Sequence, residues 1–416
     1  MREDIKERIE MIKRGKVPNG YKKTKVGIIP GNWKVEKICT CLSPIKNAVD
    51  VEGNKKYTQI GIRSHGKGLF YKEPISGKEL GNKMVYWIEP NCFIVNIVFA
   101  WEQAIGKTTE NEVGMIGSHR FPMYKPSDNT VLVDYLVYYF MTQKGKDVME
   151  HASPGGAGRN RTLGQDRFMN SQIILPTINE QGKIVKILEV YYEKIKLIER
   201  LITEKAKQKK WFVQNYLTGK KRINGYELKW KEIKLGELFS ERIETNDDRS
   251  ELLSITGTGI IPRSEMEGKD NSSEDKSKYK KIYVGDIGYN TMRMWQGVSA
   301  YSNYEGIVSP AYTVLKSKQN TDAKFFSYLF KLPYVIFKFY RYSQGLVDDT
   351  RNLKYKNFKK IKLCVPTDIK EQKAIAQILS QADKEIQLLE KKLEQTKLEK
   401  KAMMQLLLTG IVRVNQ

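Results

Sequence analysis

Histidine and cysteine are scarce in this 416-residue chain: three histidines (His65, His119, His151) and four cysteines (Cys39, Cys41, Cys92, Cys364). The cysteines are scattered, as in a reduced compartment, and neither residue type supplies the spacing of a metal site. No apolar run approaches the ~18–20 residues that would cross a bilayer. Met1 to Gly15 is charged throughout and lacks the apolar core of a signal peptide, so the expected compartment is the cytoplasm and no membrane partner is expected. Acidic charge is also short: 48 Asp and Glu face 72 Lys and Arg, for a formal net charge of +24. With 10% aromatic residues the chain has ample packing material for folded domains. A basic, aromatic-rich chain favours a polyanionic partner such as nucleic acid, although Lys-rich coding produces the same charge without a cause in function.

Catalytic signatures are absent as well. Gly106-Lys107-Thr108 resembles the end of a phosphate loop, but Trp101 stands where that loop's first glycine belongs. Glu267-Gly-Lys269 has no suitably placed acidic partner for a nuclease cluster, and no Gly-x-Gly-x-x-Gly opens a helix. The chain has no Pro-Pro pair, and hence no Asn/Asp-Pro-Pro-aromatic motif of amino-methyltransferases. No nucleophile–base pair stands out, so no catalytic residue and no metal ligand is assigned.

What the chain does have is an internal repeat. Residues 180–218 match 371–409 without a gap, at an offset of 191. Glu180-Gln181 pairs with Glu371-Gln372, Ile187-Leu188 with Ile378-Leu379, and Leu217-Thr218-Gly219 with Leu408-Thr409-Gly410. Apolar residues step by four and three through Ile184, Leu188, Tyr191, Ile195, Ile198 and Ile202, and through Ile375, Leu379, Ala382, Ile386, Leu389 and Leu393. This is a coiled-coil seam. Pro176 and Pro366 precede the two helices; Gly219 and Gly410 follow as C-terminal caps. Each helix should be a rod of roughly 55 Å. Lys205, Lys209 and Lys400 fall on the seam, where the coil should loosen or their stems snorkel. The shared Glu-Gln suits a helix N-terminus electrostatically.

The repeat extends into the globular parts. Asn96…Trp101 matches Asn290…Trp295, Ser153-Pro-Gly155…Arg161…Phe168 matches Ser343-Gln-Gly345…Arg351…Phe358, and Trp33-Lys34 matches Trp230-Lys231. Gly114-Met-Ile-Gly-Ser118-His-Arg-Phe121 matches Gly306-Ile-Val-Ser309-Pro-Ala-Tyr312 with one residue inserted. The fold class expected is α+β: two related mixed α/β domains separated by two long antiparallel coiled-coil helices. The expected division is an amphipathic helix and linker at 1–20, a first domain at 21–175, a central helix at 176–222, a second domain at 223–362 and a final helix at 363–416. Strands are expected at Phe93 to Phe99, Lys281 to Val284, Tyr312 to Leu315 and Ile361 to Val365. Gly61 to Gly68, Ser153 to Asn160 and Gly257 to Lys278 read as loops. Arg222-Ile223 and Arg413-Val414 are equivalent, so if the two repeats close into a pseudo-twofold ring the end of the second helix should lie near residues 25–35.

These features together resemble the specificity subunit of a type I restriction–modification system, over nearly the whole chain. The carriers are two globular domains, each followed by a helix of the form Pro…Glu-Gln-x2-Ile-x2-Ile-Leu…Leu-Thr-Gly. GYKKTKVGIIPGNWKVEKI and GDIGYNTMRMWQG…GIVSPAYTVL have the same look. The resemblance implies a non-catalytic reader of double-stranded DNA with two target-recognition domains. It also implies two modification subunits that carry S-adenosylmethionine and methylate adenine N6, with two restriction (motor–nuclease) subunits joining for cleavage. No cofactor is expected in this chain.

Two unlike readers imply a bipartite, asymmetric site, because a palindrome is the mark of identical readers. Positions kept in both halves cannot distinguish the half-sites, so Asn96/Asn290 and Trp101/Trp295 read as scaffold. Arg161/Arg351 either hold a loop or contact a phosphate. Base readers should be polar, in loops and different between halves: Arg63, Lys67, Gln103, Lys107 and Arg159 in the first domain, Arg263, Arg293, Gln296 and Gln344 in the second. Two readings from the residues stay open beside this one: a stand-alone DNA-binding regulator, and an assembly protein whose coiled coil is the function.

Overall fold

The structure, a computed structural model, describes residues 3–155, 161–245, 250–257, 259–268 and 272–414. It divides into two compact units, residues 1–199 with 392–416, and residues 200–391. Among the described residues no helix is long and apolar enough to cross a membrane.

Each unit is built around an antiparallel four-stranded sheet with the same strand order. In the first the order is Ile105–Lys107, Phe93–Val95, Met123–Pro126, Leu42–Ile45. In the second it is Ser299–Tyr301, Ile287–Asn290, Tyr312–Ser317, Phe239–Arg242. The inner strands are short and buried, and aromatic rings seal them. Phe93, Phe140 and Phe168 form one cluster, with centroids 5.2–6.2 Å apart. Phe239, Phe330 and Phe358 form its counterpart, at 5.8–6.5 Å. A second pairing in each unit joins the strand that leads into the sheet to the one that leaves it: Lys34–Lys37 with Gln172–Leu175, and Lys231–Lys234 with Lys362–Val365. Among the described residues the helix Glu3–Lys13 has no counterpart in the second unit.

The segment Gly257 to Lys278, expected to be a loop, contains the strand Ile260–Pro262, which pairs with Leu253–Ile255. Its Ile260 packs with Leu253 and Ile282, and that tertiary burial outweighs the Gly- and Ser-rich flanks.

The long helices run from Ile178 to Tyr216 and from Ile369 to Leu408. Thr177 and Asp368 cap them: Thr177 Oγ1 accepts from the Glu180 N–H at 3.4 Å, and Asp368 Oδ1 from the Lys370 N–H at 2.8 Å. Gly219 and Gly410 have φ of 70° and 73°, the left-handed cap that glycine tolerates. At Gly410 space is also short, since a Cβ would stand 2.5 Å from Pro30 Cγ. The seam is buried or half-buried along its length, and its lysines are accommodated rather than expelled. Lys205 pairs with Glu385 at 2.7 Å, and Lys209 with Asp383. Lys400 lies over the rings of Tyr138 and Tyr192, at 5.8 and 5.2 Å.

The shared Glu-Gln does more than complement a helix dipole. Glu180 and Glu371 are 4% and 0% exposed, and a carboxylate so buried needs partners. Arg413 Nε and Nη2 donate to Glu180 at 2.7 and 2.9 Å, and Trp33 Nε1 donates at 2.9 Å. In the second unit Arg222 donates to Glu371 at 2.5 and 2.7 Å, and Trp230 at 3.3 Å. The adjacent glutamines are buried too. Gln181 bonds the Leu132 N–H and the Thr130 and Pro176 carbonyls. Gln372 does the same with Asp322, Asn320 and Pro366. Each junction therefore fixes the start of one long helix to the residues following the other and to its own globular part.

The end of the second helix lies where the repeat placed it, against residues 25–35. Arg413 also donates to Asn32 Oδ1 at 3.0 Å, and Tyr21 Oη donates to the Gly410 carbonyl at 2.6 Å.

Glu371→Ala should lower stability by roughly 3 kcal/mol, because Arg222 and Trp230 Nε1 lose a buried acceptor. Thermal or denaturant unfolding of the purified chain measures it.

Candidate nucleic-acid interface

The part that the two globular domains share is a bracket around one short 3-10 turn. In the first unit this is Ala100–Glu102, in the second Met294–Gln296. The asparagine before it turns the chain: Asn96 Oδ1 accepts from the Val98 N–H at 3.1 Å, and Asn290 Oδ1 from the Met292 N–H at 2.9 Å. The tryptophan closes the turn by donating to the Val98 or Met292 carbonyl, at 3.2 and 2.9 Å. Onto the indole folds the matched arginine: Arg161 is 5.7 Å from the Trp101 ring centre, and Arg351 is 6.0 Å from that of Trp295. Arg351 also stacks on Tyr340 at 4.1 Å and pairs with Asp348 at 3.3 Å. Asn96, Asn290 and the two tryptophans thus act as scaffold. For the two arginines the geometry favours holding a loop, with cation–π attraction of about 0.5–1 kcal/mol at such half-exposed sites.

Several candidate readers gather around these turns. Arg63 and Lys67 occupy the turn between strands Ile60–Ile62 and Leu69–Tyr71. That turn docks on the first bracket: the His65 N–H donates to the Glu102 carbonyl at 2.7 Å, and the Gly66 N–H to that of Gln103 at 2.9 Å. Arg63 donates to the Leu69 carbonyl and covers the Phe70 ring. In the second unit Arg293 caps the 3-10 turn and Gln296 is its last residue, and both are exposed. Gln344 bonds Asn352 through both backbone groups, at 2.8 and 2.7 Å, and is exposed.

Three other candidates have internal partners. The Gln103 amide, on a residue with φ of 58°, donates to the Phe140 carbonyl at 2.8 Å. Lys107 donates to Asp134 at 2.6 Å. Arg263 reaches the Met266 and Gly268 carbonyls at 3.5 and 3.2 Å. Its N–H bonds Leu252, as that of Lys72 bonds Gln59, so Arg263 is the structural equivalent of Lys72 and not of Arg63. Arg159 lies outside the described residues.

Two side chains were missed. Strand register aligns Ser118-His119-Arg120-Phe121 with Ser309-Pro310-Ala311-Tyr312 without an insertion. The matched N–H bonds confirm it: Phe121 to the Ser118 carbonyl at 2.8 Å, and Tyr312 to that of Ser309 at 2.9 Å. His119 and Arg120 therefore stand where the second domain has Pro310 and Ala311. With Lys72 and Lys83 they line an open cleft of about 720 Å³ that has no acidic residue in its wall. The signal was a divergent pair inside an otherwise shared string.

Comparison with known proteins accords with this geometry. The model of the type I restriction modification DNA specificity domain matches twice, at residues 34–207 and 227–398. A protein of Methanocaldococcus jannaschii, provisionally named the type I restriction enzyme MjaX specificity subunit, is 24% identical over 95% of this chain and 97% of its own length. Two solved structures share the fold. The HsdS subunit of Thermoanaerobacter tengcongensis has TM-score 0.53 and 16% identity, covering 95% of this chain and 98% of that one. The S subunit of the type I restriction–modification system of M. genitalium has TM-score 0.54 and 13% identity, covering 92% and 97%. Twin sheet domains, each with a long helix, define a two-domain recognition scaffold. The chain belongs to the type I restriction–modification DNA specificity family.

Arg293→Ala should relax discrimination at one base position at a cost of about 1–3 kcal/mol. Arg351→Ala, which removes a loop brace, should weaken the affected half-site as a whole. Competition binding with single-base variants of the site separates the two patterns.

Proposed function

We infer that this chain is the DNA-recognition subunit of a type I restriction–modification complex and that it works with DNA and the other subunits of that system. The observation that carries this is the double match to the specificity domain, on two domains whose scaffold residues agree and whose loop residues differ. It performs no chemistry itself; members of the family select the site.

The first domain is proposed to read one half-site through Arg63 and Lys67, with His119 and Arg120 beside them. The second is proposed to read the other through Arg293, Gln296 and Gln344. Arginine suits guanine, and glutamine adenine, in the major groove. The remaining positive charge contacts phosphate, supplying affinity that falls steeply with salt. Two modification subunits are proposed to dock on the chain and bring S-adenosylmethionine to an adenine in each half-site. Two restriction subunits complete the complex.

The two helices are proposed to act as a ruler. Their sequence length corresponds to roughly 55–60 Å, or about 16–18 base pairs at 3.4 Å each.

Co-expression with the modification subunits of its system, followed by mapping of methylated adenines, should return one asymmetric bipartite sequence. Methylation at unrelated sites, or no co-purification, would refute the reading. Inserting four residues at equivalent points of both helices should lengthen the unread spacer and leave both half-sites unchanged; an unchanged spacer removes the ruler.

A further inference from the structure

The two domains secure their reading turns by different chemistry. In the first, the turn after Ile62 is held by backbone donors, and Met141 fills the space beneath it. A Cβ on Gly66 would lie 2.7 Å from Met141 Sδ. Met141 follows the helix Val133–Phe140, and its N–H bonds the Tyr138 carbonyl at 3.1 Å. In the second domain the matched position follows the helix Ala323–Leu329 and Phe330; its N–H bonds the Tyr328 carbonyl, also at 3.1 Å. The residue there is Lys331. Its ammonium donates to three backbone carbonyls: Gly257 at 3.0 Å, Gly297 at 2.7 Å and Ser299 at 2.5 Å.

These three oxygens belong to three elements. Gly257 lies in the turn after strand Leu253–Ile255, the counterpart of the Arg63–Gly68 turn. Gly297 ends the 3-10 turn that presents Arg293 and Gln296, with φ of 82°. Ser299 opens the next strand. The three donors of the –NH3+ each meet a carbonyl; that of Gly297 also accepts the Ser299 N–H at 3.0 Å, through its second lone pair. Half-burial pulls the lysine's pKa down to about 8, which leaves it charged at neutral pH.

We propose that Lys331 is a positioning residue for specificity: it ties the second domain's two DNA-facing turns to one another, so that Arg293 and Gln296 are presented in one register. The inference rests on the proposed recognition role. Methionine at the matched position shows that the fold does not need a cation there, so the lysine answers to the turns and not to the core.

The test uses the complex with its modification subunits. Relative methylation rates are measured on the mapped site and on variants with single-base changes in each half. Lys331→Met should reduce discrimination in one half-site by roughly fivefold or more, within the range that a mismatch is worth, with the other half-site unchanged. Lys331→Arg, which keeps a cation and multiple donors, should restore much of that discrimination. Equal loss in both halves together with a lowered melting temperature would make Lys331 a general stabiliser and overturn the proposal. Unaltered discrimination in a folded variant would overturn it too. A wild-type complex with no sequence preference at all would be a different failure, that of the recognition role itself, and would remove the inference with it.

Discussion

A carboxylate buried at the first turn of a long helix is the constraint on which the structure turns. Glu180 and Glu371 cannot remain charged there without an arginine and an indole to receive them. The arginine arrives from the residues after the other helix, and the indole from the residue just before the strand that leads into the sheet. One pair thus sets where a helix begins, where its neighbour stops and how the sheet is mounted. The glutamine beside it bonds the loop before the helix Val133–Phe140 or Ala323–Leu329, carrying the same register outward. Breaking such a pair costs far more than an exposed salt bridge, because the abandoned partner stays desolvated.

On this mount the two domains keep one bracket and vary what hangs from it. Asparagine, tryptophan and arginine make the same three contacts in both. The residues next to them do not agree: His119-Arg120 against Pro310-Ala311, Met141 against Lys331. Divergence at matched backbone positions is what two different half-sites require, and it needs no change of fold.

Much of this was legible in the sequence because it is written in local periodicity. The seam, the flanking prolines, the cap glycines and the doubled organisation need only a 3.5-residue step and self-comparison. The junctions were not legible in full. Glu180 and Arg413 are 233 positions apart, and nothing local to Glu-Gln distinguishes a buried ion pair from a dipole-matched helix start. The site was legible by residue type and not by partner. Gln103 and Lys107 have the polarity of readers, yet Phe140 and Asp134 occupy them, and those partners become adjacent only through the sheet. His119 and Arg120 already stood opposite Pro310 and Ala311 in the repeat, but only the cleft they line singles them out from the shared string around them. The strand Ile260–Pro262 escaped because its burial comes from Leu253 and Ile282, not from its neighbours in sequence.

The division of the chain has a consequence for synthesis. Residues 200–391 form one unbroken stretch, so every residue of that unit is available as soon as position 391 has left the ribosome. The other unit is discontinuous: residues 1–199 wait for 392–416, and Glu180 stays without its arginine until position 413 is made. Domains otherwise tend to fold in the order of synthesis. Here the N-terminal unit is the later of the two to be completed, because its core holds Leu407 and Leu408 together with Leu188.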